Sequence, residues 1–178
     1  MKDDIQEIIL TPEAINDICS RIGAQITRDY WDKDLIVVGI LKGASLFMSD
    51  LIRKIENPIQ MDFMAVSSYG YSTESSGVVR ILKDLDTSVE GKHVLIVEDI
   101  VDTGLTLKYL TENLATRKAK SVRICTLLDK PARRKVEITI DYCGLEVPDA
   151  FIVGYGIDYA ERYRNLPYVA ILRESVYK

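Results

Sequence analysis

Apolar residues recur along the chain at two spacings, one typical of amphipathic helices and one typical of buried strands. Thr11 suits a helix N-cap and Pro12 suits the first helical turn. Isoleucines then recur three to four residues apart, at Ile15, Ile18, Ile22 and Ile26. This spacing predicts a helix that continues to about Tyr30.

Continuous apolar runs elsewhere predict strands that are covered on both faces. The predicted strands are residues 35–41, 59–68, 78–85, 93–98 and 122–128, followed by short strands at 142–147, 151–155 and 168–172. Further helices are predicted at residues 44–56 and 104–117. Because strands alternate with helices, we expect an α/β fold, with a mostly parallel twisted sheet flanked by helices. We expect a small hood formed by the N-terminal segment and the C-terminal part.

A polar segment at residues 68–78 separates two predicted strands. It contains two glycines and four serines. Long loops in compact domains are often functional lids, so we predict a mobile lid here that includes Ser68 and Tyr69. A plain flexible hairpin connection is the alternative.

Composition narrows the class of protein. The 178 residues suit one domain, with 47% hydrophobic and 28% charged residues. A net charge of −4 argues against an obligatory nucleic-acid partner. No apolar stretch approaches the roughly 20 residues that a membrane span needs, and the acidic N-terminus, which is expected to lead into a helix, is unlike a signal peptide. We therefore expect a cytoplasmic location and no membrane partner.

Cysteine and histidine offer little for catalysis or metal binding. The three cysteines are widely spaced, and His93 is the only histidine. A zinc site or a Cys–His nucleophile is therefore not expected. Any catalysis by this chain has to depend on carboxylates, lysines and the backbone, with a metal ion as a further option.

The most informative segment follows the predicted strand 93–98. Glu98, Asp99 and Asp102 crowd together at the carboxyl end of this strand, and a Thr-Gly-Leu-Thr turn leads into a helix. Backbone N–H groups and hydroxyls at a helix N-terminus suit a phosphate, and carboxylates suit diol hydroxyls or a cation. A simple helix cap at Asp102 or Thr103 is the alternative, but it leaves the other two acids unexplained.

Residues 97–106 (Val-Glu-Asp-Ile-Val-Asp-Thr-Gly-Leu-Thr) resemble the phosphoribosyl-diphosphate (PRPP) binding motif of type I phosphoribosyltransferases. Residues 40–44, 67–70, 128–131 and 151–159 extend the resemblance and narrow it to the bacterial hypoxanthine-guanine phosphoribosyltransferases. The resemblance implies the type I phosphoribosyltransferase fold. It also implies Mg²⁺-dependent transfer of the 5-phosphoribosyl group of PRPP to N9 of a 6-oxopurine, and assembly into a homodimer or homotetramer.

The resemblance also implies which residues bind PRPP. The 5′-phosphate would be held by Asp102, Thr103, Gly104, Leu105 and Thr106. Glu98 and Asp99 would contact the ribose hydroxyls, directly or through Mg²⁺. The diphosphate would meet the Lys42 backbone, Gly43 and Arg164, and a cis peptide bond between Leu41 and Lys42 would direct a backbone N–H group at it. Arg133 or Arg134 is a further candidate for the diphosphate, and the sequence does not decide between them.

The remaining implied residues concern the purine and the chemistry. Asp102 would act as general base near N7, and Lys130 would donate to O6, which favours 6-oxopurines over adenine. Phe151 would stack on the base and the Ile152 carbonyl would accept a purine proton. Asp158 would complete the metal ligands together with Glu98 and Asp99.

Two other functions remain open at this point. Xanthine shares the 6-oxo group, so a xanthine-preferring enzyme is one alternative. A non-catalytic regulator that senses PRPP is the other, although the acidic charge and the presence of Asp102 argue against it. A dinucleotide-binding module or a P-loop ATP-binding module is excluded by the absence of their glycine-rich motifs.

Overall fold

The computed structural model of the chain describes residues 1–68 and 79–178. The strands are β1 (Ile5–Leu10), β2 (Leu35–Leu41), β3 (Gln60–Ser68), β4 (Val79–Lys83), β5 (His93–Val101), β6 (Ser121–Asp129), β7 (Tyr142–Glu146), β8 (Ile152–Val153) and β9 (Val169–Leu172). The α-helices are α1 (Pro12–Asp29), α2 (Ser45–Ile52), α3 (Leu105–Thr116) and α4 (Glu174–Tyr177), and short 3-10 helices lie at Lys2–Asp4 and Pro131–Arg133. None of the helices in this described part is long and apolar enough to cross a membrane.

A six-stranded sheet in the order β4-β3-β2-β5-β6-β7 forms the centre of the molecule. Its neighbouring strands are parallel except β3 and β4, which are antiparallel. Apolar residues on one face, such as Val37 and Leu95, pack with α1 and α2. Those on the other face, such as Val38 and Ile96, pack with α3. The predicted mostly parallel sheet with helices on both faces is confirmed.

The first helix follows its sequence signals. The Thr11 hydroxyl oxygen accepts a hydrogen bond from the Ala14 backbone N–H at 3.2 Å, as an N-cap does. Ile15, Ile22 and Ile26 are buried against the sheet. A polar cap and an apolar face therefore anchor the helix, and the sequence pattern predicted both of them.

The second helix is shorter than predicted. It ends at Ile52 rather than at residue 56. The backbone N–H of Glu56 donates to the Thr27 hydroxyl at 3.1 Å, and the Asn57 side chain donates to the Thr27 carbonyl at 3.0 Å. These contacts bind the segment after α2 to α1 and turn the chain towards Pro58.

A second, three-stranded sheet joins the two ends of the chain in the antiparallel order β1-β9-β8. Strand β1 was not predicted, because the N-terminal segment was expected to lead directly into a helix. Only Leu10 is buried among its residues, so the apolar signal is weak. Its partner β9 is more than 150 residues away, with Ile5 opposite Leu172.

The acidic segment lies further inside the sheet than predicted. Strand β5 continues to Val101, three residues beyond its predicted end, and Ile100 lies opposite Leu128 of β6. Asp99 therefore lies within the strand and not after it, and Glu98 is not the last residue of the strand. The predicted lid begins at Ser68, the last residue of β3. Tyr69 and the rest of the predicted lid lie outside the described residues.

Candidate active site

The turn after β5 is built for close approach of a ligand to the backbone. Gly104 has a φ of +82°, in the left-handed region that favours glycine, and α3 begins at the next residue. The backbone N–H of Leu105 donates to the Thr103 hydroxyl at 3.4 Å. The Thr103 carbonyl accepts from the Lys135 N–H at 2.9 Å, which secures the turn from outside.

A cavity of about 290 Å³ opens above this turn, and we call it the acidic pocket. Its polar lining is Glu98, Asp99, Asp102, Thr103, Gly104 and Thr106, while Leu41 and Gly43 line it from the end of β2. Leu105 is the first residue of α3. The pocket therefore combines carboxylates, hydroxyls and the N-terminus of a twelve-residue helix, which suits a phosphate beside a polyol.

Burial disfavours the ionised form of both strand carboxylates. Burial, reinforced by the charge of Asp99, raises the pKa of Glu98 well above its ordinary value. Burial also raises the pKa of Asp99 to about 6, although hydrogen bonds from backbone N–H groups and the Arg164 charge oppose this. A cation bound here would restore the ionised form of both groups.

The donor set fits magnesium only in combination with a substrate. The described part of the chain contains no cluster of three acidic, histidine or cysteine side chains arranged to hold a metal ion. Glu98, Asp99 and Asp158 therefore do not form a complete metal site on their own. Mg²⁺ is usually held by one or two carboxylates together with substrate phosphates and water, which is compatible with this arrangement.

The loop after β2 packs directly against the acids. The Leu41–Lys42 peptide bond is cis, as the sequence resemblance implied. A Cβ atom on Gly43 would overlap the Asp99 carboxylate, and a Cβ atom on Gly156 would overlap the Gly43 carbonyl. Both positions therefore need glycine for three separate segments to meet at the mouth of the acidic pocket.

Two residues predicted to bind diphosphate, Lys42 through its backbone and Arg164, have side chains that converge on one carboxylate. Lys42 Nζ lies 2.8 Å from Glu161 Oε2, and Arg164 Nη2 lies 3.3 Å from Glu161 Oε1. Arg164 also contacts Asp158 Oδ1 at 3.0 Å and donates to the Gly156 carbonyl at 2.7 Å. Glu161 was not identified from the sequence.

A second cavity, of about 430 Å³, adjoins the first, and we call it the lysine pocket. Its lining includes Asp102, Lys130, Arg133, Phe151, Ile152, Asp158 and Tyr177. Ile100 and Asp102 line both pockets. The structure thus places the predicted purine residues beside the predicted PRPP residues, with Asp102 between the two groups.

Lys130 is the buried cation of the lysine pocket. The residue is 8% exposed, and its ammonium donates to the Ala150 carbonyl at 2.9 Å. Burial lowers the pKa of Lys130, while the nearby charge of Asp102 acts in the opposite direction. Such a group can donate a directed hydrogen bond to a carbonyl oxygen of a ligand.

Aromatic side chains form the other wall. The Phe151 ring stacks on the Tyr177 ring at 4.6 Å and meets the edge of the Tyr159 ring at 5.2 Å. Tyr177 comes from the C-terminal helix α4 and was not identified from the sequence. No local sequence motif marks Tyr177, and it reaches the lysine pocket only through the fold.

The two adjacent arginines have different neighbours. Arg133 Nε lies 3.0 Å from Asp102 Oδ1, and its Nη1 lies 3.5 Å from Asp149 Oδ1. Arg134 pairs with Asp129. Arg133 therefore lies at the lysine pocket, beside the predicted general base. The Arg-Arg dipeptide alone did not indicate that Arg133 pairs with Asp102.

Comparison with known proteins is consistent with this geometry. Residues 6–160 match the model of the phosphoribosyl transferase domain. The chain belongs to the phosphoribosyl transferase family. The resemblance found in the sequence is thereby confirmed.

Individual relatives match along the whole chain. A Bacillus subtilis (strain 168) protein named hypoxanthine-guanine phosphoribosyltransferase is 57% identical, covering 100% of this chain and 99% of its own length. A protein of the same name from Staphylococcus aureus (strain Mu50) is 55% identical over 99% of both chains. The crystal structure of a hypoxanthine phosphoribosyltransferase from Staphylococcus aureus superposes with a TM-score of 0.98, at 55% identity, over 100% of this chain and 97% of that one. The predicted type I phosphoribosyltransferase fold is confirmed.

Proposed function

We propose that this chain is a purine-salvage enzyme that transfers the 5-phosphoribosyl group of PRPP to N9 of hypoxanthine or guanine. The products are IMP or GMP and diphosphate. The observation that carries the proposal is the shared position of Asp102, which lines both the acidic pocket and the lysine pocket. A phosphosugar in the first pocket and a base in the second would meet beside this carboxylate.

The acidic pocket supports the binding of PRPP. The turn from Asp102 to Thr106 would receive the 5′-phosphate through its N–H groups and hydroxyls, assisted by the dipole of α3. Glu98 and Asp99 would accept hydrogen bonds from the ribose hydroxyls. Their carboxylates would also favour the positive charge that develops on the sugar as the C1′–diphosphate bond breaks.

Lys42, Gly43 and Arg164 would hold the diphosphate, and Glu98, Asp99 and Asp158 are the residues available to Mg²⁺. When bound, Mg²⁺ would neutralise charge on the diphosphate and so stabilise its departure.

The lysine pocket supports the choice of base. The Lys130 ammonium would donate to O6, Phe151 would stack on the ring, and the Ile152 carbonyl would accept a proton from the purine edge. Asp102 would take the proton that the purine loses as N9 attacks C1′. Arg133 would have to give up part of its contact with Asp102 when the purine binds.

The test is nucleotide formation by the purified protein with PRPP, Mg²⁺ and each of four bases. We expect product from hypoxanthine and guanine and none from adenine, because the Lys130 ammonium cannot accept from a 6-amino group. A dominant rate with xanthine would favour the xanthine-preferring alternative. Binding of PRPP without product from any base would favour the regulatory sensor.

Three further expectations accompany the proposal. The chain would act as one phosphoribosyltransferase domain over residues 1–178, with a lid that begins at Ser68 and includes Tyr69. It would assemble into a homodimer or homotetramer, which sedimentation equilibrium would measure. It would work in the cytoplasm, without a nucleic-acid or membrane partner.

A further inference from the structure

Glu161 is a central residue of a tight turn whose backbone conformation favours asparagine and glycine. Ala160 and Glu161 have φ values of +50° and +61°. The flanking residues Tyr159 and Arg162 exchange backbone hydrogen bonds of 3.2 and 3.0 Å. Two central residues with positive φ define the type I′ turn, which favours asparagine and glycine. A glutamate at this position has an energetic cost, so its side chain calls for an explanation other than turn formation.

The Glu161 carboxylate spans the Arg164 guanidinium, which is assigned to diphosphate, and the ammonium of Lys42, whose backbone is assigned to the same group. One oxygen lies 2.8 Å from Lys42 Nζ and the other lies 3.3 Å from Arg164 Nη2. A single phosphate group would bridge an ammonium and a guanidinium in the same manner. A hydrogen bond of 2.8 Å from the Glu161 N–H to Asp158 Oδ2 fixes the position of the turn. The carboxylate is therefore held where a bound anion would neutralise the same two charges.

We propose that Glu161 is a further residue of the diphosphate subsite, acting as a competing carboxylate that occupies Lys42 and Arg164 and is displaced by diphosphate. The inference rests on the proposed function, since it takes Lys42 and Arg164 as diphosphate ligands, and it adds the Lys42 ammonium to the contact that the Lys42 backbone would make. Its consequence is weaker binding of diphosphate as a product, and hence faster release.

The contact has the strength that such competition requires. Glu161 and Lys42 are 66% and 67% exposed. Ion pairs this exposed contribute little, so an incoming diphosphate with its larger charge can replace the carboxylate. Removing the carboxylate should therefore tighten diphosphate binding by about threefold to tenfold, and no more.

The experiment compares Glu161→Gln with the unsubstituted protein in the reverse reaction, from IMP and diphosphate. Glu90→Gln is the matched control, because Glu90 is 63% exposed and pairs with Lys118 Nζ at 3.2 Å. It precedes β5 and so lies at the end of that strand opposite the acidic pocket. Both variants change the net charge by the same amount. Calorimetric titration of each protein with inorganic diphosphate in the presence of Mg²⁺ gives the Kd for diphosphate as a second readout.

We expect Glu161→Gln to lower the KM and the Kd for diphosphate about threefold to tenfold, with the KM for IMP unchanged, while Glu90→Gln alters none of them. An unchanged or higher Kd in Glu161→Gln, in a protein that still converts PRPP, overturns the role of Glu161 and leaves the proposed function intact. An unsubstituted protein that neither binds diphosphate nor converts PRPP overturns both. An equal decrease of both KM values also overturns the inference, because competition for the diphosphate subsite would not affect IMP.

Discussion

Replacing Lys130 with methionine tests the base assignment most directly, because the side chain keeps its apolar part as far as the Cε position and loses the charged donor beyond it. The lysine is 8% exposed, and its ammonium lies within the lysine pocket beside Asp102. A hydrogen bond to a charged group contributes about 1.5–3 kcal/mol. At ~1.4 kcal/mol for each tenfold change, this loss corresponds to an increase of about 10- to 150-fold in the KM for hypoxanthine.

The expected effect is confined to the base. PRPP would bind in the acidic pocket, to which Lys130 does not contribute a lining atom. The KM for PRPP should therefore change less than about threefold. Lys92→Met is the control, since Lys92 donates to Gln60 Oε1 at 2.9 Å near the opposite end of β5. Steady-state kinetics with each substrate varied in turn give the KM for hypoxanthine and the KM for PRPP of each protein.

The pH dependence provides an independent check with a definite sign. Burial lowers the pKa of Lys130 below its ordinary value of 10.5. The native side chain therefore loses its proton, and with it the charged hydrogen bond, as the pH rises through this lowered pKa. The ratio of the Lys130→Met KM to the native KM should fall over that range, and taking the ratio cancels the ionisation of hypoxanthine itself. Equal losses for hypoxanthine and PRPP, or a ratio that does not vary with pH, would refute the assignment of Lys130 to O6.

Three other substitutions test other parts of the site and the fold. Asp102→Asn should lower kcat by about 10²- to 10⁴-fold with little change in PRPP affinity; unchanged turnover in single-turnover assays would remove Asp102 from the base role. Gly43→Ala should lower activity strongly, because the added methyl group would displace the Asp99 carboxylate, and native-like kinetics would show that the loop can move aside. Asp62→Asn should lower the free energy of unfolding by about 1–3 kcal/mol in urea titrations, because the carboxylate accepts the N–H groups of Asp86 and Thr87 at 2.8 and 3.3 Å. Burial raises the pKa of Asp62, but hydrogen bonds from backbone N–H groups outweigh it and lower this pKa below 3.8. The stability that the carboxylate contributes is therefore present above pH 3.8 and is lost as the pH falls through the lowered pKa. This pH-dependent loss should be missing from the stability profile of Asp62→Asn.

Features that depend on neighbouring residues in the chain could be predicted from the sequence. The cap of α1 at Thr11, the buried run of β2 and the glycine turn before α3 are local patterns, and the structure has all three. The parallel sheet follows from the alternation of strands and helices. Because the carboxyl ends of parallel strands share one edge, Lys42, Asp102 and Lys130 could be placed near one another without knowledge of any contact.

Features that depend on distant pairing could not be predicted in this way. Strand β1 has one buried residue, and its partner lies near the opposite end of the chain. The contacts of Arg133 with Asp102 and of Lys42 with Glu161 join side chains 31 and 119 positions apart. Local spacing carries no information about such pairs. The sequence therefore identified candidate residues of the site but not their ionic partners.

The extension of β5 explains why the site could be found while its geometry was misjudged. Val97 and Ile100 pack on the side of α1, whereas Ile96 and Val101 pack on the side of α3. The two-residue alternation of a regular strand is therefore interrupted at Glu98 and Asp99. In the sequence, a change in the phase of this alternation looks like the end of a strand. The predicted strand therefore ended at Glu98. Pairing with β6 nevertheless continues through Val101, opposite Asp129. This pairing holds the two carboxylates within the sheet and puts Asp102, and not Glu98, at the point where the strand ends and both pockets begin.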